Sequence, residues 1–144
     1  AIHKVLFVNE LEQAEIRFNP KDRCYLCKKA LFGKLKAYAE EKRVSCILEG
    51  TNEDDLHVYR PGLKAVKEMG VLSPLAMHGF AKEEVRRLAE ELGVSVAKRP
   101  STPCLATRLP YGAEIRPEIL EKIAKAEEYL KPLRWRKVKK SLCL

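Results

Sequence analysis

Long hydrophobic runs are absent from this sequence, because charged residues make up 33% of the chain and interrupt its apolar stretches. No stretch is long enough to cross a membrane, and the first residues show no signal-peptide pattern. The five cysteines are few and odd in number, which argues against a secreted disulfide scaffold. We therefore expect a cytoplasmic protein with reduced thiols. With 46% hydrophobic residues among 144, it can build the core of one domain or part of one.

The sequence also lacks the spacing of an ordinary zinc site. His3, His57 and His78 are far apart, and there is a single Cys-x-x-Cys pair, which disfavours a four-cysteine site. The net charge of +8 indicates either a soluble basic surface or an anionic partner. Because the Lys and Arg residues are spread along the chain, apart from a run over residues 131–140, a phosphate-bearing small molecule is favoured over a nucleic-acid groove.

Apolar, β-branched segments alternate with amphipathic segments, which is typical of βαβ units. We predict an α/β fold in which helices flank a parallel sheet and ligands bind at the carboxyl ends of its strands. Asn19 and Pro20 predict the start of the first helix, as N-cap and first helical residue, and Gly70 and Gly93 predict the ends of two later helices. Residues 2–8 and 44–48 are predicted as strands, residues 71–75 as a short strand or extended segment broken by Pro74, residues 94–97 as short and extended, and residues 134–138 as a candidate strand. The predicted helices run from Pro20 to about residue 42 and over residues 63–69, 82–92 and 117–130.

Three cysteines occur in two contexts that favour reactive sulfur. Cys24 and Cys27 are three residues apart, so on a helix they share one face near its N-terminus, where the dipole and basic neighbours favour thiolate. Cys104 lies in a proline-interrupted loop, four residues before Arg108. Three converging thiolates can hold an iron–sulfur cluster with one open iron site. Alternatively, Cys27 is a small core residue, or the pair is a zinc half-site or a redox pair. Cys46, in an apolar segment, is predicted to be inert in the core.

A Gly-Thr-Asn-Glu-Asp-Asp sequence follows the second predicted strand and suits a nucleotide-binding turn. Gly50 permits a tight turn, and Thr51 and Asn52 offer side-chain hydrogen bonds to a ligand or to the backbone. Asp54 and Asp55 could hold a Mg²⁺ ion that bridges phosphates. The same residues suit an Asx turn and a helix N-cap equally well, so spacing alone leaves both interpretations open.

Three further residues are candidates for binding phosphate. Arg60 lies in a compact Tyr-Arg-Pro-Gly turn and could clamp a phosphate through two N–H groups, although an ordinary surface arginine is the alternative. Thr107 and Arg108 follow Cys104 closely. A phosphate bound by Arg108 would lie near the thiol, which is the geometry that sulfur transfer to a nucleotide requires.

Four stretches of the sequence together resemble one known family. They are NPKDRCYLCKKALF, EGTNEDDLHVYRPGLKA, LSPL and CLATRLPYG, and they follow one another in the family's order within residues 15–130. On these stretches the chain resembles the LarE-type sulfur transferases, a branch of the PP-loop ATP pyrophosphatases. The resemblance implies that ATP, with Mg²⁺, adenylylates a carboxylate on a pyridinium dicarboxylate mononucleotide, which then becomes a thiocarboxylate. The product leads to the nickel-pincer cofactor.

The resemblance also implies roles for the cysteines. In one branch of the family a single cysteine, which matches Cys104, is a sacrificial sulfur donor and becomes dehydroalanine. In the other branch three cysteines, which match Cys24, Cys27 and Cys104, ligate a 4Fe–4S cluster whose open iron can carry an extra sulfide. Because this sequence has all three, we predict the cluster branch. The family also suggests a homo-oligomer.

The sequence departs from the family pattern at both ends. The PP-loop, Ser-Gly-Gly-x-Asp-Ser after the first strand, is absent, and the closing Lys-Val-Lys-Lys-Ser-Leu-Cys-Leu does not match. We therefore expect a chain truncated at both ends. Residues 1–100 would be the C-terminal part of the PP-loop domain, and residues 101–144 the cysteine loop and the start of the C-terminal sulfur-transfer domain. Such a piece should lack most of the ATP-phosphate cradle and show no adenylylation alone.

Two other interpretations remain open. A PP-loop tRNA thiolase would also carry three cysteines and a cluster, and it would suit the positive charge. Against it, the sequence shows no zinc-ribbon cysteines and no separate RNA-binding module. The second alternative is a non-catalytic, nucleotide-binding α/β fragment whose cysteines serve only packing.

Overall fold

The computed structural model describes residues 3–130 of the chain. These residues divide into two compact units, one made of residues 3–23 and 102–130 and the other of Cys24–Ser101. The later boundary falls one residue after the predicted domain boundary, and the assignment of the two parts to named domains stays a prediction. Three predicted features lie outside the described residues, namely the strand at 134–138, the basic run at 131–140 and Cys143.

Helices account for about half of the described residues. They are α1 (Arg23–Glu41), α2 (Glu53–Leu56), α3 (Gly62–Glu68), α4 (Pro74–Met77), α5 (Lys82–Glu91) and α6 (Pro117–Leu130), with 3₁₀ turns at Glu10–Glu12, Ala14–Ile16 and Leu105–Arg108. The four predicted helices are present as α1, α3, α5 and α6. Gly70 and Gly93 follow α3 and α5 with φ of +66° and +71°, a left-handed conformation that glycine adopts without steric penalty. None of the described helices is long and apolar enough to span a membrane.

The predicted parallel sheet is represented by one pair of residues, Leu48 and Leu72, which form a parallel bridge. The Leu72 N–H donates to the carbonyl O of Ile47, and the Glu49 N–H donates to the carbonyl O of Leu72, both at 2.9 Å. The bridge joins two of the predicted strands in the predicted direction. The wider sheet stays a prediction, and the described residues do not conflict with an α/β fold.

One other predicted strand and one predicted extended segment are wrong in the described residues. Residues 3–9 have no regular secondary structure, and Val5 and Phe7 are exposed, Phe7 by 95%. Residues 94–97 lie largely in a turn. Cys46, predicted to be inert in the core, is exposed. A strand is stabilised by hydrogen bonds to neighbouring strands, and these apolar segments have no such partner in residues 3–130. Their hydrophobic pattern alone was therefore insufficient to predict their structure.

The core of the Cys24–Ser101 unit lies between α1, α3 and the Leu72 segment. It contains Phe32, Val66 and Val71, with Leu35, Ile47 and Met69 packed around them. Gly62 allows α3 to lie close to α1, because a Cβ there would be 2.9 Å from Lys28 Cδ and 3.4 Å from the carbonyl O of Cys24. The backbone that carries Cys24 is thus packed directly against the first turn of α3.

Candidate functional site

Cys24 and Cys27 occupy the first two turns of α1. They lie three residues apart and share one face of the helix, as predicted, with Cys24 exposed and Cys27 half-buried. Neither forms a disulfide. The first turn of α1 contains no acidic residue, so no carboxylate within that turn offsets the positive end of the helix dipole.

The lysines that follow the two cysteines direct their ammonium groups toward carboxylates. Lys28 Nζ is 3.5 Å from Glu49 Oε2. Lys29 Nζ is 3.1 Å from the hydroxyl of Tyr25 and 3.6 Å from Glu68 Oε2. The hydrogen bond with Tyr25, aided by the Glu68 carboxylate, raises the pKa of Lys29, and the Tyr25 hydroxyl lowers the pKa of Glu68. The positive charge of each lysine, which was predicted to act on the thiols, is therefore partly offset by a carboxylate.

Cys104 lies in extended backbone immediately before the turn Leu105–Arg108, and it is exposed. The Thr107 hydroxyl donates to the carbonyl O of Cys104 at 2.7 Å, and Arg108 Nη1 donates to Thr107 Oγ1 at 2.8 Å. Arg108 Nε also donates to Glu127 Oε1, on α6, at 2.5 Å. The guanidinium of Arg108 is therefore two hydrogen bonds away from the backbone of Cys104. Phosphate binding at this position stays a prediction.

Asn19 is fully buried, and its side chain binds the segment that follows Cys104. Nδ2 donates to the carbonyl O of Leu109 at 3.0 Å and to that of Pro110 at 2.8 Å. The φ of Asn19 is +45°, in the left-handed region, and α1 begins only at Arg23. The prediction that Asn19 is the N-cap of this helix is therefore wrong, because its side chain is engaged by carbonyl groups distant in sequence.

Arg23 binds the same segment from the first position of α1. Its Nη1 donates to Asn19 Oδ1 and, at 3.1 Å, to the carbonyl O of Ala106, and the residue is only 7% exposed. Beside it, the Ile115 N–H donates to the carbonyl O of Arg17 at 2.8 Å. We call the contacts of Asn19 and Arg23 with the carbonyls of residues 106, 109 and 110 the polar clamp. It joins the segment that precedes Cys24 to the segment that follows Cys104, within one compact unit.

The loop after the Leu48 bridge forms a capping box for α2. Asn52 Oδ1 accepts from the Asp55 N–H at 3.2 Å, and Asp55 Oδ2 accepts from the Asn52 N–H at 3.4 Å. Both residues are buried, as is Thr51. Asp55 Oδ1 also lies 2.7 Å from Arg60 Nη2. The sequence left open a ligand-binding turn and a helix N-cap, and the structure contains the N-cap. Ligand binding by these residues stays a prediction.

Gly50, Asp54 and Arg60 are the exposed members of the predicted nucleotide site. At Gly50 no atom lies within 4 Å of the position that a Cβ would occupy, so the backbone there is open to a ligand. Asp54 Oδ2 accepts from the Lys82 N–H at 2.7 Å, at the start of α5. Arg60 has a side chain that is 51% exposed while it contacts Asp55. A ligand would therefore meet this loop at Gly50 and along these two charged side chains.

Glu49, which the sequence analysis missed, connects this loop to α1. Its Oε1 accepts from Ser73 Oγ at 2.5 Å and from the Thr51 N–H at 3.0 Å, while Lys28 approaches its Oε2. Although burial raises the pKa of Glu49, the hydrogen bonds from Ser73 and Thr51 and the charge of Lys28 bring it below its ordinary value. The sequence signal was a single carboxylate between an apolar segment and a glycine. We call these contacts the Glu49 network.

A surface groove of about 590 Å³ runs along α5 and contains none of the predicted site residues. Its charged lining is mixed and includes Glu84, Arg87, Glu90 and Lys98. Lys98 Nζ lies 2.5 Å from Glu90 Oε1, so charges of opposite sign pair with each other here. The groove therefore lacks the one-sided positive charge that a phosphate site would need.

Residues 3–130 contain no group of three or more His, Cys, Asp or Glu side chains arranged to hold a metal ion. The donor chemistry of the three cysteines nevertheless fits an iron–sulfur cluster, because thiolates are its ordinary ligands and none of the three is in a disulfide. Cys24 and Cys27 belong to one compact unit and Cys104 to the other. Ligation of one cluster by all three stays a prediction.

Comparison with known proteins finds no matching family model but several relatives. The chain is 39% identical over 137 residues to the uncharacterised protein slr1717 of Synechocystis sp., covering 95% of this chain and 51% of that protein. It is 39% identical over 113 residues to the uncharacterised protein MJ0830 of Methanocaldococcus jannaschii, covering 78% of this chain and 44% of that protein. It is 33% identical over 123 residues to the pyridinium-3,5-bisthiocarboxylic acid mononucleotide synthase of Lactiplantibacillus plantarum, covering 85% of this chain and 45% of that protein.

The chain spans about half the length of these curated relatives. The name of the third relative agrees with the resemblance carried by the four motif stretches and supports it in general form. A comparison over half of a protein describes only that half. What the whole protein does, and with which substrates and partners, is therefore treated as a proposal.

Proposed function

We propose that this chain is part of an ATP-dependent sulfur transferase. It would adenylylate a carboxylate on a pyridinium mononucleotide and convert that carboxylate to a thiocarboxylate, in the biosynthesis of the nickel-pincer cofactor. The observation that carries the proposal is the 33% identity, over 85% of the chain, to a protein named a pyridinium-3,5-bisthiocarboxylic acid mononucleotide synthase. The arrangement around Cys104 supports it.

Cys104 is the proposed catalytic residue. It is exposed, and Thr107 and Arg108 are linked to its backbone by hydrogen bonds. In the proposed reaction Arg108 binds the phosphate of the nucleotide, because a guanidinium matches the geometry of phosphate oxygens. Thr107 holds the guanidinium in place, so the bound nucleotide is oriented beside the Cys104 thiol.

Cys24, Cys27 and Cys104 are the proposed ligands of a 4Fe–4S cluster. When bound, a cluster with one open iron supplies a site for an additional sulfide. Cys24 and Cys27 offer two thiols from one face of α1. The polar clamp fixes the segment that follows Cys104. These are the contributions of the chain's own residues to holding the cluster.

ATP and Mg²⁺ are assigned to the loop from Gly50 to Asp55, together with Arg60. Gly50 leaves space beside its backbone, while Thr51 and Asn52 are buried and maintain the turn. Asp54 and Asp55 would hold Mg²⁺, and Arg60 would contact phosphate. The proposed assembly remains a homo-oligomer.

The proposal is tested by purifying the chain without oxygen and measuring iron, sulfide and zinc per chain together with the absorption spectrum. We expect about four irons and four sulfides per chain, lost in Cys104→Ser. The matched control is Cys46→Ser, because Cys46 is an exposed thiol outside the motif stretches and its removal should leave the iron content unchanged.

The alternatives give different results in the same experiment. Zinc in place of iron, or iron retained in Cys104→Ser, would contradict the cluster assignment. A loss of the elements of H₂S at Cys104, detected by peptide mass spectrometry, would instead indicate the sacrificial donor route. Absence of both iron and any modification of Cys104, with wild-type behaviour in Cys104→Ser, would support the interpretation in which the cysteines only pack.

A further inference from the structure

The burial, backbone conformation and hydrogen bonds of Asn19 all fit the one position that it occupies. Its side chain is fully buried, and its φ of +45° places it in a region that asparagine occupies more readily than most residues other than glycine. Its amide group donates to the carbonyls of Leu109 and Pro110 and accepts from Arg23. Its own carbonyl accepts from the Gly112 N–H at 3.3 Å. Both ends of the side chain, and its backbone, are therefore used to hold one distant segment.

The segment that Asn19 and Arg23 hold has little structure of its own. Between Cys104 and Ala113 the backbone bonds within the segment are short-range ones, from Thr107 to Cys104, from Leu109 to Ala106 and from Ala113 to Pro110, and a long-range backbone bond runs from Gly112 to Asn19 itself. Single turns of this kind are weak in isolation. The carbonyls of Ala106, Leu109 and Pro110 all lie within six residues after Cys104, so contacts to them restrict the backbone that carries the thiol.

We propose that Asn19 and Arg23 are positioning residues that set the location of Cys104 through the polar clamp. The proposal rests on the proposed function insofar as Cys104 is the reacting residue. A displacement of about 1 Å can reduce a rate on the order of 100-fold when reacting groups must be aligned. The clamp supplies this alignment from the turn that leads into α1.

The first test measures backbone hydrogen exchange by mass spectrometry in the purified chain. Asn19→Asp keeps the size of the side chain and the acceptor for Arg23, but it replaces the two donors by an oxygen that faces carbonyl oxygens. Arg23→Gln removes the guanidinium. In both variants we expect exchange over residues 104–113 to become roughly 10-fold faster or more. Exchange in α3 and α5 should stay unchanged.

Matched controls are placed at exposed positions of the same unit: Asn9→Asp carries the same substitution as Asn19→Asp, and Lys21→Gln likewise replaces a basic residue by glutamine. They should leave exchange over residues 104–113 unchanged. Asn19→Gly is a second variant that separates loss of the side chain from misfolding. Glycine tolerates the left-handed backbone and keeps the carbonyl that accepts from Gly112, while the side chain is removed. It should show the same local effect as Asn19→Asp.

The second test measures alkylation of Cys104 by iodoacetamide relative to Cys46 in the same chain, resolved by peptide. Cys46 is an exposed internal reference. In the wild-type chain the ratio of the two rates should differ from the ratio in concentrated urea, where neither thiol is positioned. In Asn19→Asp, Asn19→Gly and Arg23→Gln the ratio should move toward the value in urea. A merely structural role would change both thiols together and leave the ratio constant.

Two results would overturn the proposal. One is wild-type exchange and a wild-type thiol ratio in Asn19→Asp and Arg23→Gln. The other is an equal loss of protection in both compact units for all three variants, which would make the residues general determinants of folding. Both readouts are made on iron-free chain, so a bound cluster does not protect Cys104 from alkylation or residues 104–113 from exchange. Iron that persists in Cys104→Ser would refute the proposed function without contradicting the role of the polar clamp. Wild-type exchange and thiol ratios in the clamp variants, together with loss of iron in Cys104→Ser, would refute the role of the clamp without contradicting the proposed function.

Discussion

Asn19 and Asn52 are both buried asparagines, yet one acts across the chain and the other acts on its own turn. Asn19 donates to carbonyls 90 and 91 residues away, whereas Asn52 exchanges hydrogen bonds with a residue three positions ahead. The polar clamp therefore holds a segment with little structure of its own, and the Asn52 box completes the start of a helix. The same side chain is thus a local cap in one unit and a long-range anchor in the other.

The largest effect in this comparison is expected from Asn19→Ala, which should lower the free energy of unfolding by about 3 kcal/mol. It leaves the carbonyls of Leu109 and Pro110 without their donors, and alanine adopts the left-handed backbone at φ +45° less readily than asparagine does. Asn19→Gly should recover about 1 kcal/mol of this loss, because glycine tolerates that backbone. Urea unfolding followed by circular dichroism measures both. Asn9→Ala is the control and should stay within about 0.5 kcal/mol of wild type. A loss in Asn19→Ala no larger than that would contradict the anchor role.

An intermediate effect is expected from Glu49→Gln, which should cost about 1 kcal/mol at neutral pH through its weakened contact with Lys28 and its altered hydrogen bonds. The pKa of Glu49 is lowered below 4.5 in the folded chain. Its contribution is therefore present above that pH and is lost as the pH falls through the lowered value.

The measurement for Glu49→Gln is urea unfolding at neutral pH and at a series of acidic pH values, over which the difference between wild type and variant should shrink as the wild-type carboxyl becomes protonated. Glu91→Gln, on the exposed side of α5, is the control and should change little at any of these pH values. A difference for Glu49→Gln that persists at acidic pH would show that shape, and not charge, is what Glu49 contributes.

The most local effect, no larger than that of Glu49→Gln, is expected from Asn52→Ala, which removes the cap of α2. Loss of an N-cap costs roughly 1 kcal/mol, and here it should appear mainly as faster hydrogen exchange over residues 53–56. Asn52→Ser keeps a capping oxygen and should behave nearly like wild type. If Asn52→Ala also increased exchange over residues 104–113, the distinction between a local cap and a long-range anchor would not hold.

Local signals were sufficient to predict the longer helices. Apolar spacing and a proline at its first residue predict α6 from Pro117, and Gly93 predicts the end of α5. Strands were harder to predict, because their formation depends on a partner. The bridge between Leu48 and Leu72 formed in the predicted direction, while residues 3–9 have no regular structure despite a similar apolar pattern.

The contacts of the candidate site also divide into local ones, which the sequence predicts, and long-range ones, which it does not. The pairing of Cys24 with Cys27 on one helix face and the capping alternative for Asn52 follow from short spacings, so the sequence sufficed for both. The contacts of Glu49 with Ser73 and of Asn19 with Pro110 join residues 24 and 91 positions apart. No pattern in a single sequence specifies such partners, and the Asn-Pro pair misled because it is equally typical of a helix start.

Gly62 lies beside one of these polar contacts and limits which substitutions the chain can accept there. A methyl group at this position would meet Lys28 Cδ at 2.9 Å, and Lys28 is the residue whose ammonium approaches Glu49. Gly33 and Gly50 have no atom within 4 Å of the equivalent position. In a library selected for folding, alanine should therefore persist at positions 33 and 50 and be depleted at position 62. The depletion would be relieved in a background where residue 28 carries a shorter side chain.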